Sequence, residues 1–273
     1  MIQIQKESRA PKDVIPNPGL ARHSPDTDRH TSNVNSEDSV SVAPMELVVH
    51  DSPAGVAKAV SSSVSHLINE AASGGEHTFS LGLAGGSTPE ATYRELAATS
   101  TEWRNVTAWL ADERWVPPDS PRSNGLMAEQ SLFAHVPGNL VRPEYSDDIA
   151  PEQSAAAYGR LLRDIHLESA PDLILLGLGD DGHTASLFPG STALDETRHR
   201  YVSNVIPETG EVRLTATYPL LNTARRIAFL VVGEAKAAAL EASVAGETPA
   251  GRVGGSETEV EWHVDRDAAS RLS

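Results

Sequence analysis

Cysteine is absent from the 273-residue sequence. Its absence excludes a disulfide framework, thiolate catalysis and Cys-ligated zinc. Basic residues are scarce as well: 22 Lys and Arg stand against 38 Asp and Glu, a formal charge of −16. A chain that acidic is a poor general binder of nucleic acid or of an anionic membrane, so neither is expected as a partner. No apolar run approaches the ~20 residues that span a bilayer. No charged-then-apolar leader opens the chain either, and a cytoplasmic location is expected. The Gly-x-Ser-x-Gly elbow of α/β serine hydrolases is missing, as are His-Glu-x-x-His and the Gly-Lys-Ser/Thr ending of a P-loop. No other cluster has convincing metal-ligand spacing, so neither metal nor cofactor is expected.

Hydrophobic residues make up 39%, low for a compact domain, and part of the deficit is local. Residues 1–44 are rich in Pro, Ser, Asn, Asp and Arg, and Pro11, Pro16, Pro18 and Pro25 interrupt any helix. They are expected to be a disordered tail, because they offer too little apolar surface to offset ordering entropy. Met45, where the composition changes, is an alternative start. Residues 45–273 are then expected to form one α/β domain.

From Met45 onward strand and helix patterns alternate. Strands are expected at 46–49, 78–83, 106–110, 172–176, 213–217, 227–232 and 259–264. Helices are expected at 54–72, 89–98, 123–132, 151–166, 234–244 and 266–272. The run Asp172-Leu173-Ile174-Leu175-Leu176 is what a strand covered on both faces requires. This alternation predicts a mostly parallel, doubly wound sheet with helices on both faces. In such sheets ligands bind beyond the carboxyl ends of the strands, so the loops there carry the chemistry.

Three loops stand out. Gly85-Gly86-Ser87-Thr88-Pro89 joins a strand to a helix N-terminus, an arrangement suited to an anion. Asp112-Glu113-Arg114-Trp115 places a forked guanidinium where it can meet phosphate or carbonyl oxygens. Asp112 is either a base or a positioning group, and Ser123-Asn124 caps the following helix. The third loop, 177–190, contains Gly-x-Gly-x-x-Gly, but Asp180 and Asp181 would oppose a pyrophosphate, and the match alone is weak. His183 in that loop reads better as a general base on a glycine-freed turn, with Asp181 orienting it or binding a ligand hydroxyl. Arg213 begins a strand. Lys236 lies in a helix's first turn, the wrong end for a cation unless a bound anion shares the site.

Together and in this order, the Gly-Gly-Ser-Thr-Pro turn, Asp112-Glu113-Arg114, Gly177 to Gly190, Arg213, Gly233 to Lys236 and the ending Val260 to Asp265 resemble 6-phosphogluconolactonases. The first loop is shared with a wider superfamily that includes glucosamine-6-phosphate deaminases. Those typically continue after the histidine as Ile-Ala-Phe-Asn-Glu-Pro. Here the segment is Thr184-Ala185-Ser186-Leu187-Phe188-Pro189, without the glutamate. Ala84 departs from the serine of many lactonases. The resemblance implies hydrolysis of 6-phospho-D-glucono-1,5-lactone to 6-phospho-D-gluconate in the oxidative pentose phosphate pathway. It implies His183 as general base with Asp181 beside it. Gly85, Gly86, Ser87, Thr88, Asp112, Arg114, Arg213 and Lys236 become the substrate-binding set. The expected partner is the small-molecule substrate alone, with the balance tilted towards a monomer.

Overall fold

The computed structural model describes residues 45–75, 78–165 and 170–272. The tail expected over 1–44 and the last residue of the helix expected over 151–166 lie outside the described residues. The chain runs through β1 (Met45–His50), α1 (Pro53–Ser73), β2 (Phe79–Leu83), α2 (Ser87–Ala97), β3 (Val106–Leu110) and β4 (Asp112–Arg114). It continues through α3 (Asn124–Ala128), β5 (Asn139–Val141), α4 (Pro151–Ile165), β6 (Leu173–Gly177), β7 (Tyr201–Val205) and β8 (Val212–Ala216). It ends with α5 (Tyr218–Leu221), β9 (Arg226–Val231), α6 (Ala237–Val244) and β10 (Glu259–Asp265).

Seven strands form one sheet in the order β1-β10-β9-β6-β2-β3-β5, and every pairing in it is parallel. From β2 the chain winds outward to β3 and β5; from β6 it winds the other way to β9 and β10. The winding reverses between β2 and β6, so the loops leaving these two strands flank a crevice at the sheet's carboxyl edge.

The sheet is buried on both faces, as its apolar strands require. Along β6 the side chains alternate. Leu173 and Leu175 join Val60, Val64, Ile68 and Tyr93 of α1 and α2 in one core. Ile174 and Leu176 join Tyr158, Leu162, Phe229, Leu240 and Trp262 in the other. Phe229 and Trp262 stack with centroids 3.9 Å apart. Ser52 caps α1 by accepting the Gly55 N–H at 3.1 Å, with Pro53 following.

The expected parallel sheet is present with one addition. A second, antiparallel sheet of three strands, β4-β8-β7, stands beside the first. Asp112-Glu113-Arg114, read from sequence as a loop, is its strand β4, paired with β8. Three charged residues carry no alternation that marks a strand; their pairing with Thr215, Leu214 and Arg213 makes them one. Three helices are also shorter or less regular than expected. The helix expected over 123–132 is α3 followed by a π turn at Glu129–Phe133. That over 234–244 opens as a 3-10 turn at Glu234–Lys236, and the last is one 3-10 turn, Ala268–Arg271.

Candidate active site

The turn after β2 carries Ala84, Gly85 and Gly86 into α2. Gly86 is the N-cap at φ 109° and brings no capping side chain. The helical ladder begins with the Glu90 N–H on the Gly86 carbonyl at 3.0 Å. The N–H groups of Ser87 and Thr88 therefore have no partner within the helix, and Pro89 has none to offer. That is the positive end of a helix dipole, held open beside the crevice.

The loop after β6 is folded on itself. The Gly179 N–H meets the His183 carbonyl at 2.8 Å, and the Gly182 N–H meets the Gly179 carbonyl at 3.0 Å. Gly182 sits at φ +81° against Thr248. A Cβ on Gly179 would stand 2.1 Å from His183 Nδ1, so the imidazole occupies the space that the missing side chain leaves. Asp181 Oδ1 lies 2.5 Å from that Nδ1 and also takes the His183 N–H at 3.1 Å. A carboxylate on Nδ1 fixes the proton there and leaves Nε2 as the basic nitrogen. Burial opposes the charge on Asp181. The hydrogen bond from the His183 backbone and the nearby imidazole outweigh it, and the carboxyl sits below its ordinary value. Phe188 packs on the imidazole with centroids 4.0 Å apart.

The small sheet supplies the facing wall. Arg114 and Arg213 are directly opposite in the β4–β8 register, which sets both guanidinium groups on one face. Arg114 Nη1 donates to the Arg122 carbonyl at 2.6 Å. Arg213 Nε lies 3.2 Å from Glu211, and its Nη1 lies 3.8 Å from Asp112. Asp112 is buried and committed: it accepts from Ser186 Oγ at 2.6 Å and from Asn124 Nδ2 at 3.1 Å. Those bonds make it a brace between β4, α3 and the His183 loop. Glu113 beside it is buried too. Burial pushes its carboxyl up, against hydrogen bonds from the N–H groups of Gly125, Asn124 and Arg114 and from Ser123 Oγ. Lys236 comes from the turn after β9, and its Nζ is 2.6 Å from Asp180.

These loops converge on a cavity of about 210 Å³. Gly85, Gly86, Asp112, Arg114, His183, Arg213 and Lys236 all line it. Of the other residues singled out from sequence, Ser87 and Thr88 stand behind Gly86 in the first turn of α2, and Asp181 stands behind the imidazole. Asn124 lines the cavity too, whereas the sequence suggests only a cap. The cap is Ser123, whose Oγ accepts the Leu126 N–H. The Asn124 carboxamide packs onto Gly85, and its Oδ1 is buried without a hydrogen-bond partner among the described residues. Nothing in the sequence separates a cap from a cavity-lining amide at the next position. Asp180 is the other residue that sequence reading leaves without a role.

Residues 51–262 match the family described as glucosamine-6-phosphate isomerases/6-phosphogluconolactonase. The 6-phosphogluconolactonase of Aggregatibacter actinomycetemcomitans is 34% identical over 208 residues, covering 72% of this chain and 88% of that protein. That of Synechocystis is 39% identical over 204 residues, covering 70% and 84%. Among solved structures, the 6-phosphogluconolactonase of Trypanosoma brucei superposes with a TM-score of 0.74 at 28% identity, covering 83% of this chain and 98% of that one.

Proposed function

The chain belongs to the family of glucosamine-6-phosphate isomerases and 6-phosphogluconolactonases, and from that premise we infer that it hydrolyses 6-phospho-D-glucono-1,5-lactone to 6-phospho-D-gluconate in the oxidative pentose phosphate pathway. His183 is the general base. Its Nε2 takes a proton from water as the water oxygen attacks the lactone carbonyl carbon. The tetrahedral oxyanion then collapses, the ring C–O bond breaks, and the imidazolium returns its proton to the departing ring oxygen. Asp181 holds the tautomer and stabilises the transient imidazolium. Lys236, Arg213 and the first turn of α2, with Gly85, Gly86, Ser87 and Thr88, receive the phosphate. Arg114 meets either the phosphate or the lactone end. Asp112 keeps Asn124 and the His183 loop in register.

The observation that carries this reading is a single cavity with an imidazole, backed by a carboxylate, facing two arginines and a lysine. A dianionic ester with a hydrolysable carbonyl needs that pairing of base and cations. Within the family the competing chemistry is deamination of glucosamine 6-phosphate. The residues after His183 disfavour it: Phe188, at the position where a deaminase carries its glutamate, is apolar and packs on the imidazole. The same reading takes the enzyme as a cytoplasmic monomer with residues 45–273 as its working domain.

The test pairs two assays on one preparation. Lactone hydrolysis is followed by coupling to 6-phosphogluconate dehydrogenase, and ammonia release is followed from glucosamine 6-phosphate. Hydrolysis well above the spontaneous rate, with no ammonia, is expected. Ammonia release without lactone turnover would overturn the assignment.

A further inference from the structure

Asp180 has no part in the chemistry above, yet it touches one of the cations. Its carboxylate Oδ1 lies 2.6 Å from Lys236 Nζ. The lysine side chain is 28% exposed and the aspartate 72% exposed. The ammonium therefore reaches the cavity while its counter-ion comes from the rim. Asp180 and Asp181 are adjacent in the loop closed by Gly179 and Gly182, so one turn presents two carboxylates, one to the imidazole and one to the ammonium.

We propose that Asp180 is an autoinhibitory contact: an internal competitor that an incoming anion must displace from Lys236. This rests on the reading of Lys236 as a phosphate ligand. An exposed ion pair contributes little to stability, so the displacement is cheap. The cost of the displacement belongs to the protein and is the same for every anion that reaches Lys236, so Asp180 lowers the affinity of monoanions and dianions by one common factor. A phosphate monoester near pH 8 carries close to two charges and draws on Lys236 the more strongly, so it still displaces the carboxylate.

The experiment measures KM for the phosphorylated lactone at pH 8, with methyl phosphate as a dianionic and dimethyl phosphate as a monoanionic competitive inhibitor. In Asp180→Asn, KM falls about two- to fivefold, the scale of an exposed ion pair, and the change appears in KM rather than in kcat. Methyl phosphate and dimethyl phosphate gain potency by a similar factor, because the pair they displace is the same, so the ratio of their inhibition constants stays as in the wild type. A ratio that widens would show Asp180 acting as a nearby charge and not as a displaced competitor, and would overturn the proposal. Lys236→Ala is measured alongside, and so is the double variant, in which the Asp180→Asn effect disappears. A rise in KM for Lys236→Ala together with an unchanged KM in Asp180→Asn overturns the proposal alone. An unchanged KM in Lys236→Ala removes the phosphate reading of Lys236 and the proposal with it. A fall in KM that persists when Asp180→Asn is added to Lys236→Ala also overturns it, because Asp180 would then act without Lys236.

Discussion

A histidine works as a base only when one nitrogen is fixed by its proton and the other is free, and Asp181 imposes that choice on His183 from two residues away. The hydrogen bond to the backbone N–H of the same histidine locks the carboxylate itself. Replacing His183 with Ala removes the proton acceptor while leaving the cations in place. The expected result is a kcat lower by about 100-fold or more, the usual scale for a general base, with a smaller change in KM. Steady-state kinetics on the purified variant check this. Gly179→Ala tests the same ring by a different route. Its new methyl would lie 2.1 Å from Nδ1, so the imidazole must swing away from Asp181. Activity should fall towards that of His183→Ala, while thermal unfolding shifts far less than kcat does. A variant that kept the wild-type rate would show that the ring need not sit where the glycine admits it.

The strand β4 and the short helix α3 depend on each other through one buried carboxylate. Glu113 accepts three backbone N–H groups and the Ser123 hydroxyl, and so gathers the donors that the start of α3 leaves over. Glu113→Gln turns one acceptor oxygen into an NH2 that faces those donors. The expected loss is about 1–3 kcal/mol, the range for a buried hydrogen-bond mismatch, read as a Tm lower by several degrees. KM should rise as well, because Arg114 is the next residue and Asn124 is bonded through its own N–H. This coupling is invisible in sequence, where Asp112-Glu113-Arg114 reads as a charged loop. The long elements were legible because burial leaves a period behind: the continuous apolar run of β6, and Val56, Val60, Val64 and Ile68 along α1. The His183 loop was legible for another reason, since Gly179 leaves the space that the imidazole fills and Gly182 takes a positive φ. The cavity wall was not, because β4 has three residues and takes its strand geometry from β8 and not from any pattern of its own.

At the scale of the molecule, the reversal of strand order between β2 and β6 gathers residues far apart in the chain around one crevice. No local pattern encodes it, although the alternation of elements predicts that a crevice of this kind must exist. One lateral edge of the sheet is β1, which pairs with β10 along its full length from Met45↔Val260 to His50↔Asp265. At its end His50 Nε2 lies 3.1 Å from His263 Nδ1, and His263 Nε2 lies 3.0 Å from Glu261. Burial first, and then His263, lower the affinity of His50 for a proton below the ordinary imidazole value of 6.5, with Asp51 acting weakly in the other direction. The unfolded chain then binds that proton more tightly than the native one, so stability is lost as the pH drops through 6.5 and below. Unfolding temperatures measured between pH 7.5 and 5.5 should fall, and less steeply in His50→Asn. The same edge defines where the domain can begin. A chain starting at Met45 keeps every β1–β10 pair, and its Tm and kcat/KM are expected to equal those of the full chain. A chain starting at Ser52 loses all six pairs and the His50–His263 contact, and leaves the backbone edge of β10 open, an edge that invites association between molecules. That shorter chain should unfold at a markedly lower temperature and aggregate, which light scattering during a thermal scan reports. If it stayed as stable as the chain from Met45, the first strand would be an ornament and not the closing edge of the sheet.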